Sequence, residues 1–241
     1  MLKSNKIRNK MAKTNTNADM SHQNKLSYKI DQIIKGIKLF GIKKTFLKII
    51  QQINYTLKGI DFSTENLHDL TLKGEHTSHG TALVSTSKDF LKYLFEHLEL
   101  LTKKRLEKKV FIDFGSGKGA AIIHAKRLGF EKAIGIEFAK ELHEKALSNI
   151  QKFKLNDVIS LHEDAALFIP PSNTTLIFMF NPFDKEVMDK VVKNISKVSY
   201  DFDCYLIYVN PSASQSLDKY FELLEKEYLQ SGAVIYYYKV A

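Results

Sequence analysis

Residues 111–122 read FIDFGSGKGAAI, with glycine at positions 115, 117 and 119. Glycine adds nothing to packing and loses the most backbone freedom on folding. Three of them at alternate positions, directly after an apolar run, make sense where a strand hands over to a helix and something must come close to the backbone. Missing side chains permit that approach, and the helix that follows offers N–H groups and a partial positive charge at its start. The stretch therefore predicts a strand, a tight turn built around a nucleotide-like ligand with an anionic group, and a helix.

The rest of the chain repeats that alternation. Short apolar runs at 109–114, 132–138, 158–164, 174–181 and 204–210 read as strands. Helical periodicity fills 119–129, 139–153 and 184–197, and a core-facing helix starts at Lys88. Strands that alternate with helices and read as near-continuous apolar runs specify a doubly wound α/β fold with a mostly parallel sheet. Near 220–226 the pattern suggests a short strand or a helix end, and AVIYYYKV, 233–240, reads as an antiparallel final strand.

In open α/β sheets, ligands bind beyond the carboxyl ends of the strands. The informative polar residues all fall there: Asp113 on the first strand, Glu137 on the second, Asp164 on the third, and Asn181-Pro182-Phe183 on the fourth. GSGKGA fits the dinucleotide pattern G-x-G-x-x-G/A, and Glu137 stands twenty residues beyond Gly117, where an acid would hold a ribose. Two features point elsewhere: an acid two residues before the first glycine, and a further acid closing the third strand beside Ala165.

At these residues the chain resembles the class I S-adenosylmethionine-dependent methyltransferases. The family's D-x-G-x-G-x-G motif is present as Asp113, Gly115, Gly117 and Gly119, its ribose-binding acid as Glu137 in GIEFAKEL, and its adenine-contacting acid as Asp164 in EDA. Its strand-four motif, (N/D)-P-P-(F/Y), is met by NPF with one proline missing. More narrowly, FIDFGSGKG…GIEF…FNPF looks like a bacterial branch of the family. The resemblance covers about residues 85–241. It implies a Rossmann-like, seven-stranded methyltransferase sheet with an antiparallel final strand, and S-adenosylmethionine as cofactor. Asp113 would accept from the cofactor's ammonium, the backbone N–H groups of 115–119 (Ser116 among them) would face its carboxylate, and Glu137 would take the ribose hydroxyls. Phe138 would offer a face to the adenine, and Asp164 with the Ala165 N–H would read its edge. Thr81, Ser85 or Thr86 would cover the methionine end. Asn181, Pro182 and Phe183 would hold the acceptor, a nitrogen of a protein, nucleic acid or small molecule. A nicotinamide oxidoreductase and a non-catalytic cofactor-binding subunit are the alternatives.

The 241 residues carry a net charge of +9, but unevenly. Residues 1–60 hold thirteen Lys or Arg and two Asp, net +11, which leaves −2 for the remainder. The basic character that would suggest nucleic acid thus belongs to the N-terminal arm. Residues 1–27 read as a disordered basic tail without the apolar core of a secretory signal. Residues 28–85 read as a helical extension or lid, and 86–241 as the methyltransferase domain. Within the extension, 28–53 is amphipathic and lysine-rich; it suits either a cap packed on the domain or an element that docks on a membrane surface or a partner. No run approaches the about 18 apolar residues of a membrane span. A lone cysteine, Cys204, fits a buried strand and a reducing, cytoplasmic setting. His76 and His79 form an H-x-x-H without further ligands, so no metal is expected.

Overall fold

The computed structural model describes residues 49–63 and 85–241, together with residues 34, 42, 46 and 47. The tail 1–27, Thr81, His76 and His79 lie outside the described residues. The chain divides into two units, 1–58 and 59–241. In the first, residues 49–57 are helical, so the expected amphipathic helix runs on to Leu57. Its described apolar residues Ile42, Phe46, Leu47, Ile50, Ile53 and Leu57 are exposed.

The second unit follows the alternation read from the sequence. Helix α1 (Lys88–Thr102) starts on an N-cap, Ser87, whose hydroxyl accepts from the Phe90 N–H at 3.2 Å. There follow β1 (Val110–Phe114), α2 (Ala120–Arg127), β2 (Lys132–Glu137), α3 (Lys140–Phe153), β3 (Val158–His162), β4 (Thr174–Phe180), α4 (Lys185–Ser196), β5 (Tyr205–Val209), a single turn α5 (Ser214–Leu217), β6 (Glu222–Tyr228) and β7 (Val234–Lys239). The strands form one sheet in the order β3-β2-β1-β4-β5-β7-β6. Strands β1 to β5 pair in parallel; β7 runs antiparallel to both β5 and β6.

Period-two geometry sends alternate side chains to opposite faces. Val110, Ile112 and Phe114 pack with Val187, Met188, Val191, Val192 and Ile195 of α4 on one face. Phe111 packs on the other with Leu91, Leu94, Phe95 and Leu98 of α1 and Ile122 and Ile123 of α2. Both faces are covered, which is why every residue of β1 and of β5 is buried. Strand β6 is the partly exposed edge, and its pattern, ELLEKEY, is correspondingly polar.

From β1 the chain steps to β2 and β3 on one side; β4 and β5 lie on the other. This reversal puts a crevice at the carboxyl ends of β1 and β4, the place where such sheets take ligands.

Candidate functional site

The turn after β1 is shaped by two neighbours. Gly115, at φ +78°, lies under Pro182: a Cβ there would stand 2.6 Å from the proline's own. On the other side Ser116 rests on β2, where a side chain at Gly135 would meet the serine Cβ at 2.5 Å. Gly119, at φ +81°, caps α2 and lets it approach Ala146 of α3. So the first glycine admits the strand-four motif, the third admits a helix, and a fourth, Gly135, seats the turn on β2.

The N–H groups of this turn do not face outward as the sequence suggests. Those of Gly115 and Ser116 both donate to the Ile136 carbonyl, at 2.9 and 3.0 Å, and that of Gly119 to the Ser116 carbonyl at 2.9 Å. The Gly117 N–H donates to Glu137 Oε2 at 2.7 Å. The chain itself takes up these donors because the turn folds back on β2. The Ser116 hydroxyl, 6% exposed, lacks a hydrogen-bond partner among the described residues.

Glu137 is buried. Besides Gly117, its Oε1 accepts from the Ala139 N–H at 2.9 Å. Burial pushes its carboxyl up to about 7, against the lowering effect of the bonds from Ala139, Gly117 and Phe138. Asp113, 4% exposed at the end of β1, is pushed up to about 8, chiefly by burial and further by the nearby charge of Glu137. Two acids within one another's field, shut away from water, are shifted toward their protonated forms unless a cation joins them. Phe138 is half-buried, and its carbonyl accepts from His162 Nε2 at 3.1 Å. His162 in turn stacks on His143, ring centroids 5.5 Å apart.

On the third strand's end, Asp164 Oδ1 accepts from the Ala166 N–H at 2.9 Å in a local turn. Ala165 beside it is buried. On the fourth, Asn181 adopts φ +42°, and its Oδ1 accepts from the Ser212 hydroxyl at 2.5 Å. Ser212 follows a second Asn-Pro pair, Asn210-Pro211, just beyond β5, where Asn210 is also left-handed at φ +50°. Pro182 is buried, and Phe183 is 3% exposed within the core, alongside Met179 and Val187. Before α1, Ser85 is exposed and Thr86 buried.

The carboxyl rim thus brings together Asp113, Gly115, Ser116, Gly117, Glu137, Phe138, Asn181 and Pro182. Sequence reasoning missed Gly135, Ser212 and the Ile136 carbonyl. A lone glycine inside a strand pattern is the usual mark of a close backbone approach, and Gly135 carried it. Among the described residues no three His, Cys, Asp or Glu converge as a metal site requires, and no helix is long and apolar enough to cross a membrane.

The seven-stranded order with a single antiparallel strand is the Rossmann-like fold of class I S-adenosylmethionine-dependent methyltransferases. No family model and no curated protein matches the chain. Solved structures similar to it include an RNA methyltransferase from Salinibacter ruber in complex with S-adenosyl-L-homocysteine, at 18% identity and TM-score 0.49 over 65% of this chain and 94% of that one. A SAM-dependent methyltransferase from Aquifex aeolicus is similar at 17% identity and TM-score 0.47, over 65% and 100% of the two chains. A ribosomal protein L11 methylase from Lactobacillus delbrueckii subsp. bulgaricus gives 15% identity and TM-score 0.47, over 62% and 78%. Likenesses this distant carry no weight on ligand or substrate, which rest on the rim alone.

Proposed function

We propose that the protein is an S-adenosylmethionine-dependent methyltransferase whose cofactor sits at the carboxyl ends of β1, β2 and β3 and whose acceptor meets it beside β4. The observation that carries this reading is the Glu137 carboxylate, buried beside Asp113 and bonded to the Gly117 N–H. A dinucleotide brings a pyrophosphate to this turn. Here the turn's N–H groups are already engaged by the Ile136 and Ser116 carbonyls and by Glu137, so phosphate oxygens would find few donors. A ligand carrying an ammonium and a sulfonium meets a pair of acids that need a cation.

The residues fit the cofactor. Asp113 can accept from the ammonium and lose its proton as it does so. Glu137 keeps lone pairs for the ribose hydroxyls, since two carboxylate oxygens offer about four acceptor positions. Phe138 can lie against the adenine, with Asp164 Oδ2 and the Ala165 N–H at its polar edge. The first turn of α2 gives the carboxylate end a partial positive charge. Gly115, Gly117 and Gly119 keep side chains out of the crevice, and Ser116 brings a hydroxyl that lacks a partner among the described residues. The bound cofactor supplies a methyl group made electrophilic by its sulfonium.

What the chain adds is placement and exclusion of water. Asn181 is fixed by Ser212 and Pro182 by Gly115, so the acceptor rim is rigid before any acceptor arrives. Asn181 can hold an acceptor nitrogen with its side-chain amide, Pro182 can add its carbonyl, and Phe183 backs both from the core. The acceptor class is a nitrogen of a protein, nucleic acid or small molecule.

The test is calorimetry with S-adenosylhomocysteine and with NADH, followed by methyl-labelled cofactor added to extract of cells lacking the protein, fractionated into protein, RNA and small molecules. Binding of the first ligand and label in one fraction support the reading and pick the acceptor class. Binding of NADH in its place overturns it, and cofactor binding with no label in any fraction favours a non-catalytic subunit.

A further inference from the structure

The residue between the second and third glycines of the turn is Lys118, and its side chain is only 2% exposed. It points into the segment Gly59–Ser63. Lys118 Nζ stands 2.8 Å from Asp61 Oδ2 and donates to Ser63 Oγ at 3.0 Å. Asn149 of α3, 1% exposed, bridges the two: Oδ1 accepts from the Asp61 N–H at 3.0 Å, while Nδ2 donates to the carbonyls of Asp61 at 2.9 Å and Lys118 at 3.0 Å. The segment is seated by Ile60, which is buried, and by Phe62, whose ring lies 5.8 Å from that of His124 and 6.2 Å from that of Phe153.

A buried ammonium costs several kcal/mol unless it is paired and hydrogen-bonded, as Lys118 is here. Its flanking residues say what it fixes: the Gly117 N–H holds Glu137, and Gly119 caps α2. We propose that Asp61 and Asn149, acting through Lys118, are positioning residues that hold the turn 115–119 in the shape that receives the cofactor. The segment 59–63 is on this view a working part of the cofactor site, and the inference rests on the cofactor reading above.

The experiment measures S-adenosylhomocysteine affinity and thermal stability of the full chain for wild type, Asp61→Asn, Asn149→Ala and the double variant Asp61→Asn/Lys118→Met. Asp61→Asn takes away the carboxylate that faces the lysine and should lose both stability and affinity, the latter at least tenfold. The double variant removes the buried ammonium as well, so stability returns while affinity stays low. Wild-type affinity in all variants, whatever their stability, makes the tie merely structural and overturns the inference. Affinity restored in the double variant overturns it as well, because the lysine's charge and not the turn's shape would then be responsible. A wild-type protein that binds no S-adenosylhomocysteine removes the functional reading itself.

A second inference stands on the first unit alone. Helical residues Ile42, Phe46, Ile50, Ile53 and Leu57 recur at helical spacing and are 74%, 60%, 40%, 54% and 80% exposed. Residues 1–60 carry a net +11. We infer that this helix docks on an anionic lipid surface, its apolar row in the headgroup boundary and its lysines toward the phosphates. A nucleic acid would use the charge and leave the apolar row in water; a second copy would cover the row and crowd like charges together. The full chain should float with phosphatidylcholine vesicles only when phosphatidylserine is added, less so in high salt, and not as the Phe46→Glu/Ile50→Glu variant. Failure to float with either vesicle, a dimer that Ile50→Glu dissociates, or RNA binding unmoved by these substitutions overturns the inference.

Discussion

Glu137 accepts a 2.7 Å hydrogen bond from the Gly117 N–H, so the acid that ends β2 holds the turn that follows β1. Its other oxygen holds the Ala139 N–H at the start of α3. Glu137→Gln keeps the volume but turns one oxygen into a donor, which must then face one of these two N–H groups. The expected result is a fall in S-adenosylhomocysteine affinity of at least tenfold, about 1.4 kcal/mol, read by calorimetry. Unchanged affinity would remove Glu137 from the cofactor site.

The ligand-free protein should lose stability as pH rises from about 4 to about 8. Asp113 and Glu137 are both raised, chiefly by burial, to about 8 and about 7. Over that window the folded state keeps protons that the unfolded chain has released, so each rise in pH favours unfolding. Asp113→Asn should flatten the decline in a series of thermal melts. Binding a cationic ligand should release protons between pH 6 and 8, detectable as heats that depend on the ionisation enthalpy of the buffer.

Asp61 carries the opposite sign. Partial burial would raise its carboxyl, but hydrogen bonds from Lys118 and Ser63 win and hold it at about 2. Its contribution to stability is therefore full above the ordinary carboxylate range and fades as pH falls from about 4 toward 2. The stability gap between wild type and Asp61→Asn should narrow over that interval in acid titrations.

Gly115→Ala should destabilise by about 1–3 kcal/mol. It forces a side chain into a left-handed backbone at φ +78° and onto Pro182 Cβ at 2.6 Å. Gly232→Ala is the control: it too sits at positive φ, +86°, but nothing lies within 4 Å of the added Cβ. It should cost about 1 kcal/mol, the left-handed penalty alone. Thermal melts of the two variants give the comparison.

Ser212→Ala should lower kcat and leave the cofactor KM unchanged. The serine touches Asn181 and the Phe183 carbonyl, at 2.5 and 3.4 Å, and it has no part in the residues that hold the cofactor. Losing it removes the hydroxyl bond that Asn181 Oδ1 accepts. A raised cofactor KM would show instead that β5's end belongs to the cofactor site.

Much of this was legible before the coordinates because it rests on local pattern. The strands from β1 to β5 announced themselves as apolar runs, and Asp113, Glu137, Asp164 and Asn181 could be placed at their ends by counting. Strand β6 was harder: as an edge its alternation of Glu, Leu and Lys fits a short strand or a helix end equally well. The turn's donors were misjudged because the groups that take them, Ile136 and Glu137, come from another strand. Lys118 gave no sign of its pairing with Asp61, fifty-seven residues away, since a salt bridge of that span follows from the fold and leaves no periodicity behind. Ser212 was hidden for the same reason, thirty-one residues from Asn181.

Pro182 rests on the bare α-carbon of Gly115, so the places proposed for the donor and for the acceptor share one contact. Widening the rim to admit a bulkier acceptor by shifting Pro182 would loosen the neighbouring donor chamber too. A redesign for new specificity must therefore spare Pro182 and keep the Ser212 hydroxyl that holds Asn181 beside it.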